Sequence, residues 1–243
     1  MFRHKGKSRT YVHNLKLASM LSFVAGMVNI TGILAVQTLT TNVTGHFAFF
    51  AEHFSNKQYA QAFVYLSYVL SFLAGAFVSN LLIEITLRIK PAICHVFPMF
   101  FELLILNIIG IAGNQLVLSA ANAQIIACSL LFAMGLQNAL VTSVSQSVVR
   151  TTHLTGLFTD LGIELSQLIF YRKRKGVKEL VRSIYLKLAI ITCFFLGGIS
   201  SGYIYRSMKL ETLLFASAFL FVAFYYDNLR FRYYRMKRKL QSS

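Results

Sequence analysis

Long apolar runs separated by short polar segments dominate this chain of 243 residues. Each long run approaches the roughly 20 residues that an α-helix needs to cross the hydrocarbon core of a bilayer. The pattern therefore predicts an all-α, polytopic membrane protein that forms one membrane domain. The predicted transmembrane helices are residues 15–37, 61–87, 95–112, 119–141, 183–205 and 210–226, with a turn at 113–115.

Two shorter apolar segments, residues 45–54 and 156–171, each follow a break that is rich in Thr. The first is too short to cross a bilayer, and both are predicted to be half-helices that are either re-entrant or interfacial. The breaks, at residues 38–44 and 151–155, interrupt the helices. Hydroxyl side chains there can satisfy the backbone groups that an interrupted helix leaves free.

Each break belongs to a motif that occurs twice. Both copies open with Gly-x-x-Asn and close with Thr-x-(Val or Leu)-Thr-Gly, at residues 26–45 and 135–156. A second similarity pairs Phe-Leu-Ala-Gly at 72–75 with Phe-Leu-Gly-Gly at 195–198. Both of these segments lie in rows of small residues, which let membrane helices pack closely.

Positive charges predict the topology. Lys and Arg concentrate before the first helix, after the second, in the 172–182 loop and after the sixth, whereas the alternate segments hold few cations. Cytoplasmic segments carry this excess, so both termini are predicted to be cytoplasmic, with basic tails at 1–14 and 227–243. The motif copies then have opposite orientations, which predicts an inverted repeat of three plus three helices, residues 15–113 and 119–226.

The formal net charge of +16 would suggest nucleic-acid binding in a soluble protein. Here the cations flank apolar segments, so the expected partners are the lipid bilayer and the anionic lipids of the cytoplasmic leaflet, and no nucleic acid. A homodimer is a candidate assembly, because six helices can be too few to enclose a pathway. No HExxH, GxSxG, CxxC or Gly-rich phosphate motif occurs, so no enzyme, cofactor or metal site is expected.

Three segments carry a resemblance to a known family. TTNVTGH at 40–46, GLQNA at 135–139 and RTTHLTGLFTDLGIEL at 150–165 resemble the YoaK-like family of bacterial integral membrane proteins, whose function is uncharacterised. The resemblance covers nearly the whole chain apart from the basic tails. It implies a six-helix protein of the bacterial cytoplasmic (inner) membrane and no established activity.

The functional hypothesis concerns the two breaks. Inverted repeats with interrupted helices are typical of secondary transporters, in which half-helix N-termini point their positive ends at a substrate. The half-helices are expected to begin at the Thr-Gly pairs, with the Thr as caps, and to converge on a small positive pocket. The candidate ligand-binding residues are Asn29, Thr41, Thr44, Gly45, Asn138, Arg150, Thr152, His153, Thr155 and Gly156.

These residues also have structural interpretations. An intramembrane Asn often joins helices by hydrogen bonds, and Arg150 can be a flanking cation that snorkels to the interface. Three acids are candidates for proton or cation coupling. Glu102 lies within the third predicted helix, and Asp160 and Glu164 share a face of the second half-helix. If that face is solvated, the last two are ordinary surface acids.

The sequence thus favours a small permease-like transporter for an unidentified anion or polar solute. The alternative is a non-transporting scaffold or sensor that uses its basic tails. A weaker third class is an intramembrane enzyme that uses Asp160 and Glu164. A polar cavity at the breaks would favour transport, whereas packed, dry breaks would favour the scaffold.

Overall fold

Helices make up the regular structure of the residues that the computed structural model describes, which are 11–90, 93–117, 119–145, 149–171 and 176–225. In chain order they are α1 Tyr11–Val36, α2 Val43–Ser55, α3 Tyr59–Ile89, α4 Val96–Leu116, α5 Ala120–Ser145, α6 Leu154–Tyr171 and α7 Val177–Met208. A 3-10 turn, Lys209–Glu211, and a C-terminal helical segment, residues 212–225, follow α7. Most of the predicted basic tails and residues 172–175 of the basic loop lie outside the described residues.

Within the described residues, five helical stretches are long and apolar enough to cross a membrane: α1, α3, α4, α5 and the continuous stretch Val177–Tyr225. The predicted all-α class is therefore confirmed for these residues, and the five stretches have the length and composition of membrane spans. The two predicted half-helices are α2 and α6, which pack against α3 and α7. α1 and α5 are the most buried of the five and form the centre of the bundle.

The stretch Val177–Tyr225 reverses direction at Lys209. A straight helix of its 49 residues would be about 70 Å long, more than twice the thickness of a hydrocarbon core. Lys209 ends α7 and has a φ of 49°, in the left-handed region. Gly197 of α7 and Phe219 of the C-terminal segment both contact Phe23 of α1. The C-terminal segment therefore folds back beside α1 instead of continuing α7.

The turn predicted at residues 113–115 is wrong, because α4 continues to Leu116. Gly113 is buried against Leu210, and the Oδ1 atom of Asn114 accepts a hydrogen bond from the Leu210 amide at 2.9 Å. A Gly-Asn pair is a turn signal when only the local sequence is considered. Here the Gly permits a close contact and the Asn binds the backbone of another element, so the pair serves tertiary structure.

Two glycines of the α1–α7 pair lie against backbone carbonyls. A Cβ atom added to Gly26 of α1 would overlap the carbonyl oxygen of Phe194 in α7. One added to Gly197 of α7 would overlap the carbonyl oxygen of Phe23 in α1. In each helix the glycine comes three residues after the phenylalanine. The contact is therefore reciprocal, with a Phe-x-x-Gly segment on each helix.

The α3–α5 pair repeats this reciprocal contact. Gly75 of α3 lies against the carbonyl of Phe132, and Gly135 of α5 lies against the carbonyl of Phe72. Again each glycine comes three residues after the phenylalanine of its own helix. We call the two contacts, of α1 with α7 and of α3 with α5, the glycine crossings.

A serine completes each glycine crossing. Ser79 of α3 and Ser201 of α7 each come four residues after the glycine of their helix. The Ser79 hydroxyl donates a hydrogen bond to the Leu136 carbonyl at 2.9 Å, and the Ser201 hydroxyl donates to the Met27 carbonyl at 3.0 Å. Leu136 and Met27 each directly follow the glycine of the partner helix, so the two crossings use the same residue types at the same spacing.

The structure shifts one sequence pairing by a residue. The sequence comparison paired residues 72–75 with 195–198, whereas the structure pairs them with 194–197. α7 has two adjacent Phe and two adjacent Gly, so its sequence fits both registers. It is Gly197 that lies on a carbonyl, because a Cβ at Gly198 would first meet a side chain of α1, which can move.

We predict that Gly75→Ala and Gly197→Ala each destabilise the protein by about 1–3 kcal/mol, because the new Cβ must push a helix backbone away. The measurement is the midpoint of thermal unfolding in detergent. Gly162→Ala, on α6, is the matched control, since nothing described lies within 4 Å of its added Cβ. It should leave the midpoint unchanged or raise it slightly. Equal midpoints for Gly197→Ala and Gly162→Ala would contradict the glycine crossing.

Candidate functional site

The first break joins α1 to α2 and is held by Asn29. The Oδ1 atom of Asn29 accepts hydrogen bonds from the Thr41 hydroxyl at 3.0 Å and from the Thr40 and Thr41 amides at 3.1 and 3.3 Å. Asn29 is buried near the C-terminal end of α1. One side chain thus satisfies three donors of a segment that has left the helix, where unpaired backbone groups are costly.

The second break joins α5 to α6 and is held by Asn138 in the same way. Its Oδ1 atom accepts hydrogen bonds from the Thr152 hydroxyl at 2.8 Å and from the Thr151 hydroxyl at 3.4 Å. Its Nδ2 atom donates to a backbone carbonyl one turn earlier in α5, at 3.0 Å. Asn138 and Thr152 occupy the motif positions of Asn29 and Thr41, so both copies make the same clamp between Asn and Thr.

These hydrogen bonds divide the predicted site residues into two groups, one at each break. In both groups the Asn side chain binds the break that follows its own helix, and it does not serve there as a link between distant helices. The asparagines therefore have a clear structural role. The convergence of both breaks on one ligand stays a prediction.

α2 and α6 both begin two residues before the motif glycine, and so two residues before the predicted segments 45–54 and 156–171. In α2, the N-cap is Asn42, whose Oδ1 atom accepts a hydrogen bond from the Gly45 amide at 3.0 Å. In α6, the ring of His153 lies over Gly156 so closely that a Cβ there would overlap it. In both copies, the side chain three residues before the glycine covers the first turn of the half-helix.

Thr44 and Thr155 are not the caps that the sequence predicted. Both lie inside the first turn of their half-helices, with exposed side chains. Asn and Thr are both favourable N-cap residues, so the sequence TNVT offers several choices. The position at which the backbone turns into the helix selects Asn42 at the first break.

His46 is buried beside the first break. Its Nε2 atom lies 2.7 Å from the Leu39 carbonyl, which can only accept, so Nε2 carries the hydrogen. The rings of Tyr65 and Tyr68 pack against it, with centroid distances of 6.1 and 5.3 Å. Burial lowers the pKa of His46, although the hydrogen bond to Leu39 acts in the opposite direction. The second copy has Leu157 at this position, so the polar contact belongs to the first copy.

The two half-helices are joined to the next long helix at equivalent positions. In the first copy, His53 of α2 stacks on Tyr65 of α3, with ring centroids 5.3 Å apart. In the second, Glu164 of α6 accepts hydrogen bonds from Lys187 and Ser183 of α7, both at 2.7 Å. His53 and Glu164 come eight residues after the motif glycine, and Tyr65 and Lys187 come seven residues before the crossing phenylalanine. The contact between half-helix and long helix, which we call the joint, is therefore a ring stack in the first copy and an ion pair at the equivalent place in the second.

The other charged candidates lie on the surface. Asp160, one turn before Glu164 on α6, is exposed, whereas Glu164 is mostly buried in its ion pair. Arg150 and His153 are exposed at the second break. The two acids therefore occupy different surroundings, although they lie on the same helix.

Glu102 is completely buried where α4 packs on α5. Its Oε1 atom accepts a hydrogen bond from the Nε2 atom of Gln137, at 3.0 Å, and Gln137 is also completely buried. The Oε2 atom of Glu102 and the Oε1 atom of Gln137 have no hydrogen-bond partner among the described residues. Gln137 directly precedes Asn138, so the same turn of α5 contacts Glu102 and holds the second break.

Sequence reasoning missed Asn42, Gln137 and Lys187. Lys187 falls within the fifth predicted helix, and the rule that intramembrane ionisable residues have partners there could have identified it. Gln137 has a weaker signal, since it stands next to an Asn that already explained the motif. Asn42 competes with neighbouring Thr for the cap, so only the backbone reveals it.

A cavity of about 340 Å³ lies between α3 and α4. Its walls are mainly apolar, and they include Leu82, Ile85 and Phe97. None of the predicted site residues lines it. The cavity therefore does not supply the polar pocket expected at the breaks.

Long apolar helices with polar contacts buried between them define a polytopic integral membrane protein. The model of the family described as "Protein of unknown function (DUF1275)" matches residues 17–226, so the chain belongs to this family. No curated protein and no solved structure matches it. Membership of an uncharacterised family is thus confirmed, and the more specific YoaK assignment stays a prediction.

We predict that Asn29→Leu destabilises the protein by about 1–3 kcal/mol, because it leaves two backbone amides and a hydroxyl without their acceptor. Asn138→Leu should destabilise it less, since it removes the acceptor of hydroxyl groups alone. Unfolding midpoints in detergent measure both effects, with Gln115→Leu at the exposed end of α4 as a control. An Asn29→Leu protein as stable as the control would contradict the clamp.

Proposed function

We propose that the protein is a small permease-like transporter of the bacterial cytoplasmic membrane, for a small anion or a polar solute. Its six spans form an inverted repeat, residues 15–113 and 119–226, with both termini in the cytoplasm. The observation that carries the proposal is the matched pair of breaks, each held by an asparagine and each followed by a half-helix. Interrupted helices in inverted repeats form the binding sites of many secondary transporters.

Six spans follow if the stretch Val177–Tyr225 crosses twice. Its reversal at Lys209 divides it into α7 and the C-terminal segment. The Asn107 side chain of α4 donates a hydrogen bond to the Ser217 hydroxyl at 2.6 Å, which fixes the C-terminal segment against α4 as well as α1. The segment of 14 helical residues, 212–225, is short for a crossing and would need its flanking residues to complete it.

The glycine crossings support the inverted repeat. α1 and α7 run parallel, since Tyr11 contacts Arg182 near one end and Thr31 contacts Ser201 near the other. α3 and α5 are also parallel, since Ser67 contacts Cys128 and, further along both helices, Ser79 contacts Leu136. Exchanging the copies converts one pair into the other, and the loop charges place α1 and α3 in opposite directions. A twofold relation in the membrane plane accounts for both observations.

The half-helices support a site within the membrane. α2 has 13 residues and α6 has 18, so they extend about 20 and 27 Å, less than the roughly 30 Å of the hydrocarbon core. Each packs against the long helix that follows it. If the two connecting loops lie on opposite membrane surfaces, the breaks at the other ends of the half-helices point toward each other, which is the convergence that we propose. Two half-helix N-termini would form a small positive pocket, which suits an anion or a polar neutral solute.

A non-transporting scaffold or sensor is the second candidate, and the packing of the breaks favours it. Thr40 and Thr151 are completely buried, and the Asn clamps use the donors of the breaks internally. In this alternative the basic tails bind anionic lipids at the cytoplasmic face. A homodimer is proposed for the transporter, in which a second copy would help to enclose the pathway.

We predict opposite exposure for two sets of loops. Single cysteines at Lys57, Gln115 and Lys209 should react with a membrane-impermeant maleimide from outside the cell, and one at Lys178 should react only after the membrane is permeabilised. All four side chains are exposed. The three native cysteines are first replaced by Ala, and that protein is the control. Labelling of Lys57 and Lys178 from the same side would contradict both the topology and the inversion.

Transport itself is tested with the full-length protein in proteoliposomes. The probes are chloride, inorganic phosphate, sulfate, acetate and glycerol, and we expect uptake of at least one above that of empty vesicles. Thr155→Val should lower this uptake by roughly tenfold, because it removes a hydroxyl at the pocket that contributes about one hydrogen bond. Thr159→Val, one turn further along α6 and equally exposed, should not. Uptake of none of the probes would favour the scaffold.

A further inference from the structure

The contact between Glu102 and Gln137 leaves two acceptor atoms without a hydrogen. One hydrogen bond, from Gln137 Nε2 to Glu102 Oε1, already brings the carboxyl and the amide together. The remaining atoms, Glu102 Oε2 and Gln137 Oε1, are unpartnered among the described residues and fully buried. If the carboxyl were ionised, both would be acceptors, and neither could satisfy the other. Unsatisfied acceptors at this depth are costly, and an unpaired charge is more so.

We propose that Glu102 is a proton-binding site, in which the protonated carboxyl and the Gln137 amide form a cyclic pair of hydrogen bonds. The proton resides on Glu102 Oε2 and is donated to Gln137 Oε1, while Glu102 Oε1 accepts from Gln137 Nε2. One added proton thus supplies the donor that both unpartnered atoms lack. The protonation does not depend on transport, whereas its use as the coupling site rests on the proposed function.

No ion pair in the described part of the chain compensates a charge on Glu102. Within the described residues, Glu102 forms no ion pair, and the elements that pack against α4 are α3, α5, the 3-10 turn and the C-terminal segment. α5 contributes Cys128 as its titratable side chain, and Tyr225 of the C-terminal segment is exposed. The charged side chains of α3 and the 3-10 turn lie outside the buried core, and His95 shares the buried face of α4 two turns before Glu102. The charged side chains of α3 and the 3-10 turn are Glu84, Arg88, Lys209 and Glu211.

The first copy shows that the fold does not require a polar residue at the position of Gln137. Val28 is its counterpart, because both residues come two positions after the crossing glycine and directly before the clamping asparagine. Val28 is completely buried, as Gln137 is. An apolar side chain therefore serves the same place in the bundle, and the buried acid and amide are an addition confined to the second copy.

The pair is placed where a proton can influence the second break. Gln137 and Asn138 are consecutive, so a change in the hydrogen bonds of Gln137 acts on the residue that holds Thr152. Loss of the proton would leave two acceptors facing each other and favour a different orientation of the Gln137 amide. In the transporter that we propose, this contact couples a proton to the conformation of the second break.

Infrared difference spectroscopy of the full-length protein in lipid nanodiscs tests the proton site. At neutral pH, we expect a carbonyl stretching band of a protonated carboxyl in the wild type, and its loss in Glu102→Gln. The amide of that variant can make both hydrogen bonds to Gln137, so the protein should fold. Glu164→Gln is the matched control: its carboxyl group accepts hydrogen bonds from Lys187 and Ser183 and does not contact Gln137, so the band should persist. Gln137→Leu should shift the band, because the acid loses its partner.

Absence of the band in the wild type, or an unchanged band in Glu102→Gln, would overturn the proposal. A carboxylate band lost in Glu102→Gln that shifts on addition of Na⁺ would also overturn it, in favour of a bound metal cation. The band in wild type with no uptake of any probe would leave the proton site standing and remove the transport proposal. Uptake of a probe without the band would support the transport proposal and overturn the proton site.

Discussion

The arrangement of this bundle depends on four glycines, each of which lies against a backbone carbonyl of a neighbouring helix. In lipid, apolar side chains gain nothing by turning inward, so close packing and hydrogen bonds must hold the helices together. The glycines bring the backbones near enough for Ser79 and Ser201 to bond across each crossing. The clamping asparagines come three residues after two of these glycines, so the crossings also determine where the breaks lie.

The sequence predicted the features that depend on composition, length of run and repeated spacing. These are the all-helical class, the long apolar stretches and the two short helices after the breaks, although α2 and α6 begin two residues before the predicted segments. It could not predict contacts whose partners are distant in sequence. Asn114 was assigned to a turn because its partner, the Leu210 amide, lies 96 residues later. Gln137 passed unnoticed because nothing near it in the chain shows that Glu102 faces it. The proposed convergence of the breaks depends on the packing of whole helices and has no local signal.

The two copies keep the same contacts but use different chemistry. Their crossings use the same residue types at the same spacing, and both clamps join an Asn to a Thr. The clamps differ in that Asn29 also accepts from two backbone amides and Asn138 from a second hydroxyl. The joints between half-helix and long helix differ, since His53 stacks on Tyr65 in one copy and Glu164 pairs with Lys187 in the other. An ion pair in such surroundings holds its partners strongly, because separating them leaves a buried charge unpaired. The two joints therefore resist opening by different means, although they occupy equivalent places.

One turn of α5 brings these features together. Gly135 lies on the carbonyl of Phe72, and the Leu136 carbonyl accepts a hydrogen bond from Ser79. The next two residues, Gln137 and Asn138, donate to Glu102 and accept from Thr152. The corresponding turn of α1 makes the same contacts except at Val28, which has no polar partner to seek. Val28 is completely buried, so the bundle accepts an apolar side chain at this place. The copies therefore differ at this one position of the turn. Both turns build the bundle, and the second also buries the contact between Glu102 and Gln137 beside its break, where we propose the proton site.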